Sequence, residues 1–357
     1  MRNGLRHYLL YREVVCLKNS QVTRFLRWQT PITITASAAA VGKEETNGPY
    51  GSCFDFHDES DRFGAKTWEL AEGEMARIAL NIALKKREIK HHEIGLLLAG
   101  DLQNQCVASS GGLSSFHIPY IGLYGACSTS VEGLLVASLS MNAAKEIERA
   151  AVVTSSHNCA AERQFRLPIE YGGQRTPTAQ WTATAAGAFI LEREGRGVRI
   201  VGGMAGKPVD GGICDANNMG AAMAPAVCDT LLTYFDETGE TPEDFDLIVT
   251  GDLGTEGSAI LGELCVDAGL SLGKRHFDCG ANLYDLKKQD AHAGGSGCGC
   301  AASMLAAHFV PCMRRGIYRR LLVIATGALM SPSSVQQGGS IIGIAPLTVW
   351  ENGEKEN

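Results

Sequence analysis

Apolar and polar residues alternate in blocks along this chain, and the blocks change period as they go. Pro31-Ile32-Thr33-Ile34-Thr35 alternates strictly, as a half-buried strand does, and a glycine-rich polar loop follows from Gly42 to about Lys66. Thr67 can then cap a helix whose apolar positions Leu70, Ala71, Met75, Ile78, Ala79, Ile82 and Ala83 recur at helical spacing. The leucine run from Gly95 to Ala99 predicts a buried strand ending at Gly100-Asp101. Ile121 to Tyr124 leads into the turn Gly125-Ala126-Cys127-Ser128-Thr129-Ser130, and a Leu-, Val-, Ala- and Met-rich helix is expected from Val131 to about Ala144. Ala150 to Thr154 is again a strand, followed by a polar loop from Ser155 to Gln180. Ala185 to Leu191 and Val198 to Val201 read as further strands.

The later part of the chain repeats this order. Leu96 to Leu102 returns as Leu247 to Leu253, with Asp101 matched by Asp252. Cys127 and its helix return as Cys298 and a helix from Ala301 to about Arg314. Ala151-Val152-Val153 returns as Leu322-Val323-Ile324 at the same spacing. One insertion between Asp252 and Cys298 accounts for the shift between the matches. Strands alternating with helices predict parallel sheet, so the chain reads as two similar α/β halves related by a pseudo-twofold. The expected limits are 29–195 and 196–352, between a basic extension (1–28) and a short tail (353–357).

Composition narrows the class. A chain of 357 residues with 45% hydrophobic and 20% charged residues is ordinary for a globular protein. Twelve cysteines in no disulfide framework suit reduced thiols. No run of apolar residues is long enough to cross a bilayer. The net charge of −7 argues against nucleic acid as a partner. Against that acidity, the first 29 residues carry Arg2, Arg6, Arg12, Lys18, Arg24 and Arg27 with Glu13 as their one acid. Such a segment is a frayed extension or a basic arm for an anionic surface.

Cys127 is the first candidate for chemistry. At a strand-to-helix turn it sits near the positive end of a helix dipole, which favours the nucleophilic thiolate; a small buried packing role is the alternative. His276-x-x-Cys279 with Cys298-x-Cys300 has the ligand types of a zinc site but unusual spacing, and no metal is expected.

A duplicated α/β chain with a cysteine heading a first-half helix resembles the thiolase superfamily, including β-ketoacyl carrier-protein synthase III. That resemblance implies a five-layered αβαβα fold. It also implies a cysteine acyl acceptor helped by a histidine and a second His or Asn in the later half. The histidine belongs within Thr250-Gly251-Asp252-Leu253-Gly254 and the asparagine within Gly294-Gly295-Ser296-Gly297-Cys298, and neither is there. The expectation is therefore a non-enzyme that needs no cofactor, with Cys127 a vestigial nucleophile. An acyltransferase or condensing enzyme using Cys127, with its base moved to His157 or His292, is the alternative.

The runs Gly100-Asp101-Leu102, Gly125 to Ser130, Ser155-Ser156-His157-Asn158, Ala161 to Arg166, Glu170 to Gln174 and Ala293 to Cys298 together resemble the stage V sporulation protein AD family. That resemblance implies a dipicolinic acid-binding subunit of the stage V sporulation A complex, which moves dipicolinate with calcium into the developing spore. Other membrane subunits of that complex are the implied partners, a homodimer the implied association, and a soluble body on the spore inner membrane the implied place. Dipicolinate is a flat pyridine with two carboxylates, so guanidinium forks and a ring-sized slot should hold it. The expected ligand set is Cys127, Ser128, His157, Asn158, Arg163, Arg166 and Tyr171; Arg163 and Arg166 could instead pair with Glu162 and Glu170 at a subunit interface.

Overall fold

A computed structural model describes residues 23–165 and 175–353. The strands that build the central sheet are β1 (Phe25–Val41), β2 (Leu96–Gly100), β3 (Tyr120–Gly122), β4 (Arg149–Ser156), β5 (Ala185–Glu192), β6 (Val198–Met204), β7 (Leu247–Thr250), β8 (His276–Asp278), β9 (Arg320–Ile324) and β10 (Leu347–Asn352). Their spatial order is β8-β7-β9-β10-β6-β1-β5-β4-β2-β3. Read from the middle outwards, the two sides match. β1–β5 and β5–β4 are antiparallel, and β4–β2 and β2–β3 parallel. β6–β10 and β10–β9 are antiparallel, and β9–β7 and β7–β8 parallel. The repeat read from the sequence is thus a structural duplication. The sheet is mixed, however, not parallel throughout. The long β1 pairs with β5 along its second part and with β6 along its first, so β5 and β6 follow one another along a single strand running the other way.

That length is a second difference. The pattern predicts a short strand at Pro31–Thr35, whereas β1 begins at Phe25, inside the segment read as extension. Phe25 is buried against Tyr234, with ring centroids 4.9 Å apart.

Helices α1 (Trp68–Arg87), α2 (Val107–Leu113), α3 (Thr129–Ala143), α4 (Asn158–Phe165), α5 (Met219–Thr238), α6 (Gly254–Asp267) and α7 (Cys298–Met304) complete the layers. Strand alternation assigns them. Leu97 and Ala99 of β2 join α1 in one outer core, while Leu96 and Leu98 face the middle core with Leu134 of α3 and Met304 of α7. Leu321 and Val323 of β9 enter the same middle core, and Leu322 and Ile324 enter the other outer core with α5 and α6. The result is αβαβα. Thr67 caps α1 as expected, its hydroxyl accepting from the Leu70 N–H. The expected positions Ala71, Met75, Ala79 and Ala83 are buried, together with Ala76, Leu80 and Leu84, whereas Leu70 is 61% exposed. Small alanines let this helix lie flat on the Ala-rich strands β1 and β5. The loop expected from Ser155 to Gln180 contains α4.

Candidate functional site

The two central helices, α3 and α7, begin at the same end of the molecule, and Cys127 and Cys298 lie at their starts. Cys127 is buried, with 5% of its surface exposed, and lines a narrow cleft of about 80 Å³. Leu102, Tyr124, Phe165, Met219 and Met330 give the cleft apolar walls, and Thr182, Asn217 and Ser296 add polar groups. Aromatic and thioether walls with a few polar points are what a flat organic ligand needs.

Burial works against the activation of the Cys127 thiol that its helix-start position suggested. Burial, with the Asp252 carboxylate next in effect, pushes the Cys127 thiol far above the usual thiol range. The N–H groups of Gly297 and of Cys127 itself offset this only in part. Gly297 must be glycine here: its φ is +109°, and a Cβ would lie 2.5 Å from the Ser156 hydroxyl oxygen. Cys298 is fully buried, and its Sγ donates to the Ala126 carbonyl at 2.9 Å. Burial and the neighbouring Cys127 drive this thiol upward as well.

Asp252, which the sequence marked as the strand-end match of Asp101 and a weak calcium candidate, takes a different setting here. It occupies the segment where a synthase-type histidine was sought, and it is fully buried at φ +66°, a left-handed conformation costly for a non-glycine residue. Its backbone is held hard. Gln180 Nε2 donates to its carbonyl at 2.8 Å, and Asp278 accepts from the next two N–H groups, Leu253 at 3.0 Å and Gly254 at 2.9 Å. Yet neither of its own carboxylate oxygens has a hydrogen-bond partner among the described residues. The thiol of Cys300 lies beside it as a weak donor, and burial raises its pKa well above the carboxylate range. A buried aspartate held in a left-handed turn with so few partners is a candidate for a role beyond packing.

The other expected contacts fall in several places. Ser128 is buried, its hydroxyl donating to the Gly125 carbonyl at 2.6 Å. His157 is buried under Trp68, with ring centroids 5.3 Å apart. Its Nε2 meets the Asp61 carbonyl at 2.8 Å, and burial lowers its pKa, so it stays neutral. Asn158 donates to the Thr182 carbonyl at 3.2 Å, tying the start of α4 to the cleft wall. Arg163 is ion-paired with Glu69 at the start of α1, and the cleft wall of α4 is made by Ala161, Glu162 and Phe165. Arg166 and Tyr171 lie outside the described residues. His292 bonds Thr176 and Asp290, and His276 bonds Thr250 at 2.8 Å. Among the described residues, no group of three or more His, Cys, Asp or Glu side chains could hold a metal ion.

The model of the stage V sporulation protein AD (SpoVAD) family matches residues 22–351. The chain belongs to the SpoVAD family. Stage V sporulation protein AD of Bacillus subtilis strain 168 is 41% identical over 324 residues, covering 91% of this chain and 95% of that one. The SpoVAD chain also shares its fold with condensing enzymes. Cerulenin-bound OleA of Xanthomonas campestris superposes with a TM-score of 0.59 at 15% identity, over 90% of this chain and 98% of the other. For 3-oxoacyl-[acyl-carrier-protein] synthase III of Aquifex aeolicus VF5 the TM-score is 0.54 at 14% identity, over 89% and 99%. At such identities these enzymes establish the thiolase-like fold and nothing about chemistry.

Proposed function

We propose that this SpoVAD-family chain is a non-catalytic subunit that binds dipicolinic acid in the cleft before Cys127, serving dipicolinate uptake by the stage V sporulation A complex at the spore inner membrane. The observation that carries the reading is the trio around the old nucleophile. Cys127 is accompanied by Asp252 and Cys298, groups whose pKa burial raises, where condensing chemistry would place a base and an oxyanion donor. A neutral carboxylic acid donates a hydrogen bond, and a ligand carboxylate is its natural acceptor. Among the described lining residues the charged one is Glu162, so a bound dianion would take its counter-charge from calcium, or from Arg166 together with an Arg163 that gives up its ion pair with Glu69.

The test uses the full-length protein. Replacing both Arg163 and Arg166 by alanine is expected to weaken dipicolinate binding by about 1.5–3 kcal/mol if charge-assisted bonds form. Undiminished binding contradicts the arginine placement. Incubation with acyl-CoA is expected to leave no acyl mass on Cys127, and an adduct there would favour the enzyme reading instead.

The same reading includes a homodimer. β3 is an open edge of the sheet, and Val107, Tyr120, Ile121 and Tyr124 around it are between 37% and 53% exposed. An apolar open edge is a ready surface for a second copy. Sedimentation at micromolar concentration is expected to give a dimer.

A further inference from the structure

We propose that the loop Arg314–Arg320, at the end of the molecule away from Cys127, docks on an anionic lipid surface with Ile317 as its inserted tip. This stands on observations separate from the cleft and holds whether or not dipicolinate binds there.

The loop closes the central helix that starts at Cys298. That helix passes through a π turn at Leu305–Phe309, where Pro311 lacks the N–H that a regular turn would use, and it runs on to Arg314. Gly316, at φ +74°, ends it: its N–H bonds the Met313 carbonyl at 2.8 Å, and the Ile317 N–H bonds the Cys312 carbonyl at 3.0 Å. In this closing motif the apolar residue after the glycine ordinarily folds back on the last turn of its own helix. Ile317 does not; it stands 56% exposed. Tyr318 beside it is anchored, packing on Phe309 with ring centroids 6.1 Å apart, so the tip is presented by a firm base.

The loop segment itself is positively charged in a chain whose net charge is −7. Arg314, Arg315, Arg319 and Arg320 flank Gly316-Ile317-Tyr318 with no acid in the segment. Arg320 is committed inward to Glu240 at 2.9 Å and Glu351 at 3.4 Å, and Asp246 accepts from the backbone N–H groups of Arg319 and Arg320. The side chains of Arg314, Arg315 and Arg319 are at the surface. The Arg315 guanidinium bonds the Pro311 carbonyl and the Cys312 sulfur of its own helix end. Arg314 and Arg315 also border a shallow cavity with Lys86, Ser52 and Asp55, where Lys86 is ion-paired with Asp55 at 2.6 Å, leaving the two arginines as its cations for a phosphate headgroup. Arginines ringing one protruding aliphatic residue match a bilayer surface, where the guanidiniums meet headgroups and the isoleucine enters the acyl boundary.

The experiment is co-sedimentation of the full-length protein with vesicles of equal parts phosphatidylcholine and phosphatidylglycerol, against pure phosphatidylcholine. Binding is expected to the mixed vesicles alone and to weaken with salt. Each arginine near such a surface contributes about fivefold, so an Arg314→Gln/Arg315→Gln/Arg319→Gln variant should lose about tenfold or more in partitioning. Ile317→Ser should weaken binding without altering its salt dependence. Ile317→Trp, which leaves the charges intact, should shift its fluorescence to shorter wavelength on adding mixed vesicles. No vesicle binding, an unshifted Trp, or loss confined to an Arg2→Gln/Arg6→Gln/Arg12→Gln variant would overturn the proposal. So would loop variants that bind vesicles normally yet lose a protein partner.

Discussion

Asp101 and Asp252 end equivalent strands in the two halves, and the fold treats them oppositely. Asp101 accepts from the Gln103 N–H at 2.9 Å, the Ser109 N–H at 2.8 Å and the Ser109 hydroxyl at 2.6 Å. Every one of those bonds serves the loop that follows β2. Asp252 is equally buried but accepts from no N–H or hydroxyl group among the described residues, with the weakly donating Cys300 thiol beside it. Duplication supplied two acids in one setting; one became an internal fastener, and the other was left with only a thiol near Cys127. The contrast separates a residue that the fold needs from a residue that the fold merely tolerates.

That separation can be broken in order of expected effect. Asp101→Ala strips acceptors from buried N–H groups and should cost about 2–4 kcal/mol of stability in urea denaturation. Asp252→Asn removes a strained, unsatisfied acid and should leave stability unchanged or raise it, the usual sign of a position kept for function. If both variants lose stability alike, the two acids are not different in kind.

A smaller effect concerns Glu72, which shares Gln103 with Asp101: Gln103 Nε2 donates to Glu72 at 2.7 Å. Burial, reinforced by the Asp101 charge, pushes Glu72 from 4.5 up to about 8. A raised acid stays protonated in the folded state. Its contribution to stability is therefore full below pH 4.5 and is lost as pH rises towards 8. Glu72→Gln should flatten that part of the profile of Tm against pH. An unchanged slope would mean that the pair carries no shared proton.

The smallest effect is expected at Cys127. Under the proposed reading its thiol takes part in no covalent step, so Cys127→Ala should change dipicolinate binding less than the arginine pair does. Alkylation of the wild-type thiol should be slow at neutral pH because burial holds it protonated.

Much of this architecture was legible in the chain. The repeated Gly-Asp strand ends and the paired cysteine turns carried the duplication, because hydrophobic periodicity is local and survives divergence. The strand directions were not legible, since β5 and β6 take theirs from sharing β1. The difference between the two aspartates was half-hidden. Ser109, the residue that fastens Asp101, has Ile260 at the matching place after Asp252, a signal visible only once the repeat is aligned. Arg163 read as a ligand arginine because its partner Glu69 lies far away in sequence and meets it only through packing of α1 and α4. Ile317 gave no signal at all. Its spacing fits a residue folded onto its own helix, and exposure is set by tertiary structure.

The proposed reading implies that Asp252, not Asp101, contributes to dipicolinate binding. The direct measurement is calorimetric titration of dipicolinate, with and without calcium, into the full-length wild-type protein and its Asp252→Ala and Asp101→Asn variants, each first confirmed as folded. The account predicts saturable binding by wild type, binding within a few-fold of it for folded Asp101→Asn, and at least about tenfold weaker binding for Asp252→Ala, which has no side-chain group left to hydrogen-bond the ligand. Unaltered affinity in Asp252→Ala, or no binding by the wild type in either condition, would contradict it.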